Sequence, residues 1–145
     1  MPTEKHFLSE SDQKIVVDAI QQAELQTSGE IKVHIEKNCT ANAMDRAVEV
    51  FELLKMHETE QRNAVLFYLA HEDRKFAVLG DIGIHDKVKD SFWNSTKELL
   101  RTYFAKNEIA LGLSYGIQEA GIQLKKHFPY QSDDINELPD DISFG

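Results

Sequence analysis

Asp81 lies in a Gly-Asp-Ile-Gly motif directly after an apolar run, and loops at the ends of strands often carry functional residues. Together with Asp86, Glu30 and the amide oxygen of Asn63, its carboxylate would supply the oxygen ligands that Ca²⁺ and Mg²⁺ prefer. The sequence therefore predicts a divalent-cation site, for calcium or magnesium, at these four residues. The alternative is an ordinary turn, because Asp and Gly are favoured in turns for backbone reasons.

A second, weaker cation site is predicted at Glu72 and Asp73, which lie in the polar break between two apolar runs. The alternative there is a plain hairpin turn, with Arg74 either a surface charge or a contact for phosphate. Neither site is an EF-hand, because the loop pattern of that motif is absent.

Three residues are the candidates for catalysis: His57, Arg62 and Asp81. In a metal-assisted phosphomonoesterase, Asp81 would hold a cation that polarises a phosphoryl oxygen, and Arg62 or His57 would contact the phosphate. The alternative for His57 and Arg62 is that they are surface residues. The sequence contains no HExxH zinc motif, no G-x-S-x-G elbow and no glycine-rich phosphate loop. A binding function without turnover is therefore favoured over catalysis.

Three predicted strands would position these residues. Ala64–Ala70 is a continuous apolar run, which predicts a strand buried on both faces in the middle of a sheet. Residues 75–79 follow after four polar residues, so the two segments predict a β-hairpin. Glu30–Glu36 alternates polar and apolar residues, which predicts a strand with one buried face.

Four helices are predicted from apolar residues at helical spacing, the first of them capped by Ser9 or Ser11. They span residues 9–27, 43–56, 86–104 and 108–128. The order of elements predicts an α/β fold, an α/β/α sandwich whose mixed sheet is covered by helices on both faces. The first two strands would be parallel and the third antiparallel. This topology places Glu30, Asn63 and Asp81 at one end of the sheet and Asp73 at the other.

Charge and composition bear on partners and location. The net charge of −9 and the isoelectric point near 5.1 argue against binding to nucleic acid, whose affinity depends on Lys and Arg. No apolar run approaches the roughly 18 residues of a membrane span, so we expect no membrane insertion. The single cysteine, Cys39, excludes an internal disulfide. Because the first residues lack the pattern of a secretory signal, we expect a cytoplasmic location. We also expect a monomer, and no protein partner can be identified.

The chain is long enough for one domain, expected over residues 1–130 and followed by an acidic C-terminal tail over residues 131–145. The tail is interpreted as mobile, because five acids and a proline dominate its sequence. The alternative is a strap that is held down by its four apolar residues, Ile135, Leu138, Ile142 and Phe144.

Four short segments carry a family resemblance, namely residues 27–31 (TSGEI), 62–66 (RNAVL), 73–76 (DRKF) and 80–84 (GDIGI). In this order and spacing they resemble the TPM domain family, the thylakoid-lumen acid-phosphatase-like proteins and their bacterial relatives, over residues 7–128. The resemblance implies an α/β/α sandwich, divalent-cation binding (calcium in some members) and acid phosphatase activity in a plant branch. The chain is similar to the short stand-alone bacterial form.

Two functions of different classes follow as expectations. The first is a divalent-cation-binding domain, with calcium as the expected ion, that acts as an accessory or interaction module. The second is a metal-assisted acid phosphatase that acts on phosphomonoesters, and its warrant is the family resemblance alone.

Overall fold

The computed structural model describes residues 7–130, residue 138 and residues 140–145. In this part of the chain, four strands form one mixed sheet in the order β3-β2-β1-β4. The strands are β1 (Glu30–Glu36), β2 (Ala64–Ala70), β3 (Lys75–Gly80) and β4 (Ser143–Phe144). The predicted position of Ala64–Ala70 inside the sheet is confirmed, and all seven of its residues are buried. Strands β1 and β2 are parallel and β3 is antiparallel to β2, as predicted.

Within the described ranges, five α-helices accompany the sheet: α1 (Glu10–Glu24), α2 (Ala43–Leu53), α3 (Ile82–His85), α4 (Asn94–Ala105) and α5 (Ile109–Lys125). Ser9 is the N-cap of α1, and its hydroxyl accepts a hydrogen bond from the amide of Asp12 at 3.1 Å. Such a cap satisfies an amide that the first turn of a helix leaves without a partner. None of the helices in the described residues is both long and apolar enough to cross a membrane.

The helices pack on both faces of the sheet and complete the predicted α/β/α sandwich. On β2, alternate residues belong to two different apolar clusters, because successive side chains of a strand point to opposite faces. Phe67 packs in the cluster that contains residues of α1, α4 and α5. Leu66 packs in the cluster that contains residues of α2.

The prediction of one helix over residues 86–104 is wrong. Helix α3 begins directly after β3, because the carboxylate of Asp81 accepts a hydrogen bond from the amide of Ile82 at 2.7 Å. A 3₁₀ segment, Asp90–Trp93, then precedes α4. Because a 3₁₀ turn holds fewer residues than an α-helical turn, it shifts the phase of the buried side. Thr96 and Leu100 are the buried residues of α4.

Glycines on α5 allow two helices to approach it closely. A Cβ atom on Gly116 would lie 2.8 Å from Cδ2 of Leu100 in α4. One on Gly121 would lie 3.0 Å from Cβ of Ala23 in α1. The loss of helix propensity at these positions, roughly 1 kcal/mol each, is thus offset by tighter packing.

The residues described at the C-terminus (138 and 140–145, here the C-terminal strap) lie on the sheet. Strand β4 pairs in parallel with β1, and the amide of Gly145 donates to the carbonyl of Ile35 at 2.9 Å. Leu138 and Ile142 are buried, and Phe144 packs against the core. Three of the four apolar residues of the strap interpretation are therefore anchored, and Ile135 lies outside the described residues.

Candidate functional site

The polar face of β1 is buried, which corrects the prediction that only one face of this strand would be covered. Its four side chains are Glu30, Lys32, His34 and Glu36. Buried charges cost free energy unless they find partners, and here the partners come from α2 and from the C-terminal strap. Lys32, for example, donates from Nζ to the carbonyl of Asp141 at 3.0 Å, and its Nζ lies 3.6 Å from the Asp141 carboxylate.

Three carboxyl groups, those of Glu24, Glu30 and Asp140, meet where α1 ends and β1 begins, and we call them the carboxyl cluster. Oε2 of Glu24 accepts a hydrogen bond from the amide of Ile31 at 3.0 Å. Oε1 of Glu30 accepts one from the amide of Leu138 at 3.2 Å. Asp140 is hydrogen-bonded to the side chain of Glu24. The cluster thus joins helix α1, strand β1 and the strap.

In the carboxyl cluster, the pKa of Glu24 is raised, so that its carboxyl group keeps a proton at neutral pH. Burial is the largest cause, and the hydrogen bond with Asp140 and the nearby carboxylate of Glu30 act in the same direction. The amide of Ile31 opposes them, but the pKa of Glu24 still rises from 4.5 to about 10. A proton retained because carboxyl groups are crowded is one that a metal cation can displace.

At the other end of the same face, Glu36 is the centre of a second group, here called the Glu36 network. Arg46 of α2 donates from Nε to Oε2 at 2.9 Å and from Nη2 to Oε1 at 3.0 Å. The hydroxyl of Tyr68 donates to Oε2 of Glu36. Nε2 of His34 lies 3.2 Å from Oε1, and the other ring nitrogen of His34 lies 2.9 Å from Oγ of Ser143.

The pKa values in the Glu36 network are displaced in opposite directions. Burial alone would raise the pKa of Glu36, but the hydrogen bonds from Arg46, Tyr68 and His34 lower it to about 2. Burial lowers the pKa of His34, which is therefore neutral at pH 7. Because an ionised carboxylate only accepts hydrogen bonds, Nε2 of His34 carries the proton, and Nδ1 accepts from the hydroxyl of Ser143.

A cavity of about 470 Å³ borders the Glu36 network, lined by residues 36–41, Arg46, Glu49 and Gly145. Ser143 and His34 do not line it, although they are linked to Glu36 in the order hydroxyl, imidazole and carboxylate. The network therefore fixes the position of β4 on β1, because it links Ser143 of β4 to His34 and Glu36 of β1.

Arg62 and Asp81 form a two-pronged ion pair at the end of the sheet where β2 begins. Nε of Arg62 lies 2.7 Å from Oδ2, and Nη2 lies 2.9 Å from Oδ1. Arg62 has a φ of 51°, a left-handed conformation that residues other than glycine seldom adopt. The carbonyl of Arg62 also accepts from the amide of Gly83, where no Cβ would fit against the main chain of Gln61 and Arg62.

All three predicted catalytic residues line one cavity of about 470 Å³. Its lining residues are Val48, Phe51, Glu52, His57, Arg62 and Asp81. His57 is exposed, and Asp81 is buried with both oxygens bound to Arg62. The cavity can admit a small anion, but the guanidinium that would bind it is already occupied by Asp81.

The main chains of the four predicted metal ligands lie at one end of the sheet. Their side chains, however, make different contacts. The amide of Glu30 donates to the carbonyl of Asn63 at 3.4 Å, as the topology had predicted. The side-chain amide of Asn63 donates to Ser28, while Asp81 binds Arg62. Asp86 is exposed at the end of α3. The site at these four residues stays a prediction that requires Arg62 to release Asp81.

The second predicted cation site, at the β2–β3 hairpin, is also engaged in other contacts. Oδ2 of Asp73 accepts a hydrogen bond from the amide of Cys39 at 2.6 Å. Oε1 of Glu72 lies 3.8 Å from Nζ of Lys37. These contacts hold the hairpin against the loop that follows β1, the structural role that a turn would have.

Sequence reasoning missed the residues that make the two polar groups on β1: Glu24, His34, Glu36, Arg46 and Tyr68. A signal for them was present. A strand that pairs in parallel is usually covered on both faces, so polar residues on β1 required partners.

Comparisons with known proteins agree with this architecture. The TPM domain profile matches residues 3–123. The NMR structure of BA42 protein from the psychrophilic bacterium Bizionia argentinensis is similar, with 47% identity, 96% coverage of each chain and a TM-score of 0.91. The N-terminal domain of cg2496 protein from Corynebacterium glutamicum shares the fold, with 13% identity, coverage of 91% of this chain and 77% of that one, and a TM-score of 0.63. A search of curated proteins gave no match. The chain belongs to the TPM domain family.

Proposed function

We propose that this protein is an accessory or interaction module that binds a hard divalent cation, calcium or magnesium, at the carboxyl cluster. The supporting observation is that the carboxyl groups of Glu24, Glu30 and Asp140 lie together. Burial and the neighbouring negative charge raise the pKa of Glu24, so that it retains a proton. All three donors are carboxylates, the ligand type that these cations prefer. A bound cation would replace the proton of Glu24 and neutralise the cluster.

The donor set fits these cations without a preformed cage. Among the described residues, no three His, Cys, Asp or Glu side chains already form a group that could hold a metal ion. Magnesium keeps several waters and uses one or two carboxylates, and calcium also accepts carbonyl and water oxygens. Glu24 and Glu30 would hold the cation, and Asp140 would link it to the strap.

Calcium and magnesium are expected to raise the melting temperature of the wild-type protein. Saturation at a hundredfold excess over Kd corresponds to about 2.7 kcal/mol of stabilisation. The rise should be lost in Glu30→Gln, whose amide oxygen can still accept from Leu138, and should persist in Asp81→Asn and Asp73→Asn. Because the cation competes with a proton, the rise should grow between pH 6 and pH 9. Calorimetry in buffers of different ionisation enthalpy should show proton release on binding.

The same set of variants identifies the other outcomes. A rise that disappears only in Asp81→Asn would place the cation at the Arg62 end of the sheet, and one that disappears only in Asp73→Asn would place it at the hairpin. No rise with either cation at any pH would exclude a cation-binding function for this chain.

Hydrolysis of phosphomonoesters is the second candidate, favoured by the cavity that His57, Arg62 and Asp81 share. Arg62 would bind the phosphate and His57 would be the proton donor to the leaving group. Arg62 is held by Asp81, however, so phosphate must compete with an existing two-pronged ion pair. We therefore expect weak turnover or none.

The measurement is hydrolysis of an aryl phosphate at acidic and neutral pH with calcium, magnesium or manganese. Wild type and His57→Gln should be alike within error. Robust turnover that is lost in both His57→Gln and Arg62→Gln, while Lys55→Gln remains active, would make hydrolysis the principal function.

A further inference from the structure

In the part of the chain that the structure describes, strand β3 is an edge of the sheet and has a partner strand on one side only. The amide of Asp81 donates to the carbonyl of Ala64 at 2.9 Å, so these two residues form a hydrogen-bonded antiparallel pair. In such a ladder, hydrogen-bonded pairs alternate with pairs whose amides and carbonyls point outward. The register Tyr68↔Ala77 therefore leaves the main-chain groups of Phe76 and Val78 directed away from β2.

A groove of about 540 Å³ runs along this edge between the start of α2 and helix α4. Its lining includes residues 42–44 and 74–78, together with Lys97 and Arg101. Among the described residues that line it, four are cationic and none is acidic, although the whole chain has a net charge of −9. Positive charge is thus concentrated at the open main-chain groups.

Two of the four cations are available to a partner. Lys75 donates from Nζ to the carbonyls of Cys39 and Ala41, both at 2.9 Å, and Arg101 is paired with Glu98. Within the described residues, Arg74 and Lys97 make neither a hydrogen bond nor an ion pair. Arg74 lies at the start of β3 and Lys97 lies on α4, so the two charges flank the groove.

We propose that the edge of β3 is a docking site for an extended acidic segment of another protein, which adds a fifth strand to the sheet. Main-chain hydrogen bonds to Phe76 and Val78 would hold the segment, as in other cases of strand addition. Carboxylates on the segment would meet Arg74 and Lys97, which sets its charge preference. This docking site does not depend on the carboxyl cluster or on cation binding.

The test uses a short fluorescein-labelled peptide in which Glu alternates with Thr and Val, measured by fluorescence anisotropy and by amide chemical shifts. The acidic peptide should bind, and the largest shifts should fall on the amides of Phe76 and Val78. Two matched peptides should not bind: one with Lys in place of Glu, and one N-methylated at the residues that would pair with β3.

Protein variants localise the binding. Arg74→Gln combined with Lys97→Glu should weaken binding about tenfold or more, because the groove then loses the two cations that make no hydrogen bond or ion pair within the described residues. The same number of changes at exposed lysines of the last turn of α5 and just after it, Lys125→Glu with Lys126→Glu, should alter Kd by no more than about twofold.

Three results would overturn the proposal. Equal binding of the N-methylated peptide would mean that charge alone attracts it, with no added strand. Absence of binding would mean that the cations only guard the edge against pairing, a common property of natural edge strands. Dimerisation of the protein, seen by sedimentation and abolished in the groove variant, would mean that a second copy of this chain occupies the edge.

Discussion

Replacement of Glu36 by glutamine is expected to lower the free energy of unfolding by about 2–4 kcal/mol at neutral pH, because a buried charge pair is broken from one side. The amide has the same shape as the carboxylate but cannot accept two charge-assisted hydrogen bonds from Arg46. Its NH₂ group would also face the donor hydroxyl of Tyr68 or the N–H of His34. Urea unfolding followed by circular dichroism measures the loss, and the melting temperature should fall by about 5–10 °C.

Glu49 offers a matched control, since its carboxylate lies 3.8 Å from the same guanidinium of Arg46 but its side chain is 63% exposed. Glu49→Gln should change stability by less than about 0.5 kcal/mol, the range of a surface ion pair. Equal losses in the two variants would show that burial contributes nothing, and that Glu36 acts as an ordinary surface partner of Arg46.

The pH dependence gives an independent measure of the same group. In the unfolded chain Glu36 would take up a proton near pH 4.5, but in the folded chain it does so only near pH 2. Between these values the unfolded state binds more protons, so acid favours unfolding. The stabilisation from Glu36 is present above about pH 4.5 and is lost as the pH falls towards 2. In Glu36→Gln this part of the acid-induced loss should be absent.

The parts of the fold that were predictable from the sequence are those with local causes. The apolar run of β2 requires cover on both faces, and the short polar break after it permits only a hairpin, so both features followed from neighbouring residues. The Ser9 cap also acts within one turn of its own helix. Helix α4 was misplaced because the phase of its buried side depends on the preceding 3₁₀ segment, which has no clear sequence signal.

The candidate site depends on contacts between distant residues, and those were not predictable from spacing. Alternation along β1 revealed a polar face, but the partners of Lys32 and Glu30 on the C-terminal strap lie more than 100 positions later in the chain. Strand β4 has only two residues, too few to show any periodicity. At the other end, topology brought the main chains of Asn63 and Asp81 together. It gave no sign that Arg62, in a left-handed conformation, would occupy the Asp81 carboxylate.

Glu24→Gln is expected to stabilise the protein at alkaline pH, the opposite of the effect at Glu36. In the unfolded chain Glu24 ionises near pH 4.5, whereas in the folded chain it keeps its proton up to about pH 10. The folded state therefore binds more protons across this window, and wild-type stability falls as pH rises through it. Glutamine resembles the protonated acid and needs no proton. The variant should match wild type at pH 4 and exceed it by about 1–3 kcal/mol at pH 9 with chelator present.

The control is Asp18→Asn, at an exposed position on the same helix. The difference in stability between this variant and wild type should change by no more than about 0.5 kcal/mol between pH 5 and pH 9. Calcium distinguishes the retained proton of Glu24 from its proposed binding of a cation. If the cation displaces the proton, saturating calcium at pH 9 should remove most of the wild-type deficit and leave Glu24→Gln almost unaffected. A Glu24→Gln variant that is less stable than wild type at pH 9 in chelator would mean that Glu24 is ionised and already paired with a cationic group. In that case the carboxyl groups of Glu24, Glu30 and Asp140 would not need a metal ion to neutralise them.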